Sequence, residues 1–202
     1  MGVIAGAVAL AVVGWAFIFG LAWGSFWVKL GLTATTVALY ALAFERPRLR
    51  FSAASVALGV VSAALLYAVF YLGNALAPYV VPGAGSQVGG IYDLGVGASR
   101  VAVFFLLLVV TGPAEEIFWR GFLQKRLMGR LGPLGGYVAA TLVYGGVHAF
   151  SGNLMLILAA LVAGAWWGAQ YLWRQDVTAL IVSHSLWSAV IFAVAPVTPA
   201  AG

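Results

Sequence analysis

Runs of about 20 apolar residues, separated by loops that hold ten of the fifteen charged residues, fill this sequence from end to end. Each run is long enough to cross a bilayer as a helix. In hydrocarbon every backbone N–H and C=O must be satisfied within the protein, and a helix does so within a single segment. The expected fold is an all-α, polytopic transmembrane helix bundle. Composition agrees: 7% of the 202 residues are charged and 64% are hydrophobic, against about 25% charged in a soluble domain. There is no cysteine, which excludes disulfides, thiolate metal sites and a cysteine nucleophile together. The net charge of +5 is spread over few residues. It is a topology signal and no footprint for nucleic acid.

Charges and Pro/Gly clusters mark about seven spans: residues 3–23, 27–44, 52–72, 99–122, 134–150, 154–173 and 177–195. The first has no Lys or Arg before it and exceeds a signal-peptide core, so it reads as a permanent span. Residues 74–97 hold Pro78, Pro82, many glycines and Asp93, and read as a loop with room for a short interfacial helix. The chain divides into N-terminal spans plus an extracytoplasmic loop (1–98) and a core (99–195). Arg46, Arg48, Arg50, Lys125, Arg126, Arg130 and Arg174 fall in one set of loops, and only Lys29 and Arg100 lie near the membrane ends on the other side. The richer set is expected in the cytoplasm, with the N-terminus. Gly20/Gly24 and Gly164/Gly168 match the close-packing motif of membrane helices, a match that 26 glycines produce by chance as well. No repeat suggests an inverted-repeat transporter.

Ionisable side chains at membrane depth are costly, and each one points to function. Of the five acids, Glu45, Asp93 and Asp176 fall in loops, while Glu115 and Glu116 lie side by side in the fourth span. Both histidines, His148 and His184, lie in spans. Glu116 and Arg120 are four residues apart and share a helix face, so they can pair. Glu115 is turned by about 100° and remains free to act as a base. Gly112 and Pro113 can interrupt the backbone ladder just before the pair and open the helix to a substrate strand. Tyr144 shares a face with His148, and His184 with Ser188. Either partner can orient a ring or donate to an oxyanion. Trp119 is one turn from Glu115 and can wall the site. The plain alternative for the glutamates is an ion-pair network that closes the bundle.

The order Glu115-Glu116-x-x-x-Arg120, then Tyr144-x-x-x-His148, then His184-x-x-x-Ser188 resembles the three motifs of the CAAX protease and bacteriocin-processing (CPBP, or Abi) family. The likeness covers about residues 99–194, and the first three spans carry no motif. Tyr144 stands where the family usually has Phe, and Ser188 where it has Asn or Asp. The resemblance implies an intramembrane endopeptidase acting on a peptide or protein substrate at the membrane. Glu115 and His148 would activate a water, and His184, helped by Ser188, would hold the oxyanion. Glu116, Arg120 and Tyr144 would support them. No cofactor is expected; the alternative within the enzyme class is zinc on Glu115, His148 and His184. Outside it stand a proton-coupled transporter, and a membrane scaffold or bacteriocin-immunity protein. Neither a prenyl preference nor an oligomeric state can be read from these residues.

The expected cavity lies among the last four spans and opens toward the cytoplasm. At about 1.5 Å per residue, Glu115 should lie about 10–15 Å and His184 about 10 Å from that side. His148 comes out deeper, at about 20 Å.

Overall fold

The computed structural model describes residues 2–197, and among them every regular element is helical. Helix α1 spans Gly2–Gly20, α2 Phe26–Phe44, α3 Ala53–Val80 and α4 Ala84–Asp93. One helical stretch then runs over Arg100–Ser151, 52 residues. It is broken at Gly132, whose backbone (φ 76°, ψ 167°) is not helical. Such a φ strongly favours glycine, and Pro133 is preset to start the helix that follows. We therefore take residues 100–131 as α5 and residues 133–147 as α6. α7 is Leu154–Arg174, and α8 is Val177–Ala189, extended by a π-helical turn at Val190–Val194.

Six helical stretches are long and apolar enough to cross a membrane. The Gly132 break divides the longest into two limbs, giving the seven-span bundle expected from the sequence. Two limits differ from expectation. α3 continues to Val80, through Pro78, because a proline in the last turn costs little more than one hydrogen bond. α5 continues past Phe122 to the Gly132 turn, since Lys125, Arg126 and Arg130 are good helix formers on a helix that leaves the apolar layer. The 84–93 stretch of the expected loop forms the short α4.

Loop polar residues start the helices. Ser52 accepts from the Ser55 N–H, Asn153 from Leu156 and Asp176 from Ala179, each an N-cap. The basic loops gather at one end. There Lys125 and Arg126 pair with Glu45 at 2.5 and 3.0 Å, and Ser55 donates to Asp176 at 2.6 Å. At the other end Lys29 is buried and donates to the Leu21 carbonyl, just past α1.

α5 runs through the middle of the bundle, with α2 and α8 packed against it; α3 lies on α8, and α6 on α7. Phe118, Trp119, Phe122 and Leu123 of α5 are all but fully buried. Residues such as Val13, Leu32, Leu65, Leu142 and Val162 face outward, as lipid requires.

The two glycine pairs separate. A methyl group on Gly20 would meet no neighbour, and Gly24 lies outside the helices, with φ 81°. Gly164 and Gly168 instead let α7 approach α5 and α6. A methyl group on either would press on Tyr144 or Tyr137. The closeness is used: Arg120 donates to the Gly164 carbonyl at 3.2 Å and Gln124 to the Gly168 carbonyl at 2.8 Å.

Candidate active site

The site is built on a short α-helical stretch, Gly112–Phe118, set between two π-helical turns of α5, Leu106–Thr111 and Trp119–Gln124. Pro113 has no N–H and crowds the carbonyl one turn earlier; a π-turn takes up that misfit by adding a residue. The turns also rotate the glutamate pair relative to the rest of the helix. Gly112 lies directly on the backbone of Ser185, where an added Cβ would sit 2.8 Å from Cα. That approach brings α5 close enough to α8 for Glu116 to meet His184.

Glu116 is fully buried. Its Oε1 accepts from Arg120 Nη1 and contacts His184 Nδ1, both at 2.7 Å. An ionised carboxylate only accepts, so in this pair Nδ1 of His184 carries a proton. Its Nε2 is left to face elsewhere. The His184 ring stacks on Trp167 with centroids 3.9 Å apart and planes at 16°. Arg120 is also buried and lies over the rings of Tyr144 and Trp167, at 4.8 and 5.3 Å. Charge inside the bundle is thus paired and flanked by aromatic faces, which offsets its desolvation.

Glu115 points the other way. It accepts a long hydrogen bond, 3.4 Å, from the Tyr144 hydroxyl. Tyr144 also offers its backbone carbonyl to His148 Nδ1 at 2.7 Å. The second nitrogen of His148, Nε2, accepts from Trp15 Nε1–H at 3.2 Å. Trp119 packs edge-on against Tyr144 at 5.0 Å and against Trp15 at 5.3 Å. It backs the site from behind these rings and does not line the cavity.

Ser188 differs from its expected contact. Its hydroxyl donates to the carbonyls of His184 (2.8 Å) and Ser185 (3.3 Å) in its own helix, and the His184 ring is held by Glu116 instead. A serine side chain is short and finds the carbonyl one turn back before it reaches a ring four residues away.

Glu115, Tyr144, His148, His184, Ser188 and Trp15 share one cavity of about 450 Å³. Its remaining wall is mostly apolar and comes from α1 to α4, α5, α7 and the C-terminal part of α8. These are the parts of the helices away from the basic loops. The cavity therefore lies at the end away from the basic loops, not at the basic end where the sequence places its opening. That end is filled by Phe118, Phe122 and Leu123 and closed by the Glu45 ion pairs, whereas α3 and α4 wall a cavity at the other.

The depth mismatch also resolves. Because α5 runs on to the Gly132 turn, Glu115 and His148 each lie about 25 Å along their helices from that turn. The fourth span merely ends later than its last apolar residue.

Trp15, Gln124 and Trp167 were not anticipated. Gln124 extends the Glu116–Arg120 spacing by one more turn, so its face was legible. Nothing in the sequence linked Trp15 or Trp167 to a histidine. As for zinc, no three His, Asp or Glu side chains gather as a ligand set among the described residues. His184 Nδ1 is taken by Glu116, and both nitrogens of His148 are engaged.

The fold is that of a multi-pass membrane protein with a polar, titratable site walled inside it. Residues 97–190 match the family described as type II CAAX prenyl endopeptidase, Rce1-like. Over this core the chain is similar to that family, in agreement with the CPBP motifs it resembles, and the match supports a CAAX-type intramembrane endopeptidase in general terms. No curated protein matches the chain, and no solved structure does.

Proposed function

We propose that the protein hydrolyses a peptide bond inside the membrane with a water activated by Glu115. The observation that carries this reading is the unequal surroundings of two adjacent carboxylates. Glu116 is spent on Arg120 and His184, while Glu115 reaches the cavity with one long bond from Tyr144.

In this reading Glu115 takes a proton from water as the oxygen attacks the peptide carbonyl carbon, and His148 aligns that water or shares its proton. Charge collects on the carbonyl oxygen. His184, its Nδ1 held by Glu116, presents Nε2 to that oxygen and stabilises the charge there. Collapse breaks the C–N bond, and the proton held by Glu115 passes to the leaving amine. One water is consumed and an acid and an amine are formed. Ser188 shapes the cavity wall and holds its own helix turn. The substrate is a peptide or membrane-protein segment entering a largely apolar cavity. With the basic loops in the cytoplasm by the positive-inside rule, that cavity opens toward the opposite face.

The test is cleavage by purified protein in proteoliposomes in H₂¹⁸O. The panel should hold transmembrane peptides and CAAX-ending peptides with and without a prenyl group. One ¹⁸O atom in the new carboxylate of the product is expected. Cleavage abolished by a chelator and restored by zinc would replace the metal-free mechanism. A broad panel left uncut would remove hydrolysis and leave a binding or immunity role.

A further inference from the structure

The first three spans carry no family motif and lie outside the matched residues, yet one of their side chains is in the site. Trp15, on α1, is 1% exposed, and its indole N–H donates to His148 Nε2. The two rings meet edge to face, with centroids 5.7 Å apart. The other nitrogen of His148 faces the Tyr144 carbonyl at 2.7 Å. A carbonyl only accepts, so Nδ1 carries the proton and Nε2 holds the lone pair. The tautomer is thus already fixed by Tyr144. What Trp15 adds is a cover over the basic nitrogen of the ring.

We infer that Trp15 is a latch on His148. In the resting protein the indole N–H occupies Nε2, and His148 engages the reacting water only once that hydrogen bond opens. Trp15 is itself part of the cavity wall, so a peptide that fills the cavity meets the indole. The contact is specific within its aromatic cluster. Phe19 packs near His148 at 6.3 Å without a polar group, and the buried Trp119 N–H has no partner. The latch rests on the reading of His148 given above, but the contact itself can be measured without activity.

The chain has two histidines, so ¹⁵N-histidine labelling of the full-length protein in nanodiscs gives a simple spectrum. Trp15→Phe keeps a ring and removes the N–H. The expected result is a His148 Nε2 resonance moved toward that of a free unprotonated nitrogen, with Nδ1 still protonated and His184 unmoved. Cleavage should rise about threefold to tenfold in kcat, the scale of one released hydrogen bond, with KM unchanged. Trp119→Phe should change neither. If Trp15→Phe does not fold, the wild type serves: a scalar coupling between Trp15 Nε1 and His148 Nε2 supports the latch, and its absence overturns it. An unmoved His148 resonance in folded Trp15→Phe overturns it too. So does slower cleavage with the resonance moved, which would make Trp15 a support and not a latch. A moved resonance in a protein whose wild type cuts nothing would overturn the hydrolytic reading, and the latch with it, and leave only the Trp15–His148 hydrogen bond standing.

Discussion

The site has two sides that differ in how firmly they are held. On the side of α7 and α8, Glu116, Arg120 and His184 form a buried cluster joined at 2.7 Å, capped by the Gly164 carbonyl and pressed on Trp167. On the side of α1 and α6, Glu115 has one bond of 3.4 Å, and His148 is held between a carbonyl and an indole at the cavity wall. Neighbouring positions on a helix diverge by about 100°, and here that turn separates a structural carboxylate from a working one. An unpaired charge in the bundle is costly, so the protein concentrates its buried cation on one of the two. Oε2 of Glu116 nonetheless has no partner; both donors share Oε1.

The contrast is sharpened by substitutions on the rigid side and broken if they prove mild. Arg120→Met leaves the Glu116–His184 pair without its cation, and should cost about 3–5 kcal/mol of stability, read by thermal or denaturant unfolding in detergent. A melting point unchanged from wild type would mean that the cluster does not hold α5 to α7 and α8. Gly112→Val forces a branched side chain into the Ser185 backbone. A loss of about 1–3 kcal/mol is expected, with cleavage lost as Glu116 and His184 part. On the other side, Tyr144→Phe should lower kcat by about threefold to tenfold with little change in melting, since it removes only the hydroxyl that steadies Glu115. The smallest effect is expected from Ser188→Ala. Its hydroxyl serves its own helix, so stability should change by about 0.5 kcal/mol or less, and kcat should stay close to wild type. A large loss in kcat would return Ser188 to the oxyanion role implied by the family resemblance.

Much of this was legible before any coordinates. Charge is so scarce that each buried ionisable group stands out, and i,i+4 spacing alone pairs Glu116 with Arg120. The remainder depends on what spacing does not encode. The first π-turn of α5 accommodates Pro113, and no periodicity announces either turn. The charge pattern ends α5 at its first basic residues, although a helix can leave the membrane without ending. The side of the opening follows from how α3 and α4 fold over the bundle, which the loop charges do not report. The i,i+4 spacing lets Ser188 orient the His184 ring or donate to an oxyanion, but does not show that a carboxylate from another helix holds the ring. Trp15 sits more than 130 residues from His148 in sequence, and only the packing of α1 joins them.

The most direct measurement sets Glu115→Gln beside Glu116→Gln, with cleavage and thermal unfolding recorded on the same preparations. Glutamine keeps the size and polarity of each side chain and removes its ability to act as a base or a counter-ion. The division of labour predicts that Glu115→Gln melts like wild type and cleaves nothing, while Glu116→Gln melts well below it. Cleavage by a well-folded Glu115→Gln protein, or a Glu116→Gln protein as stable as wild type, would contradict it.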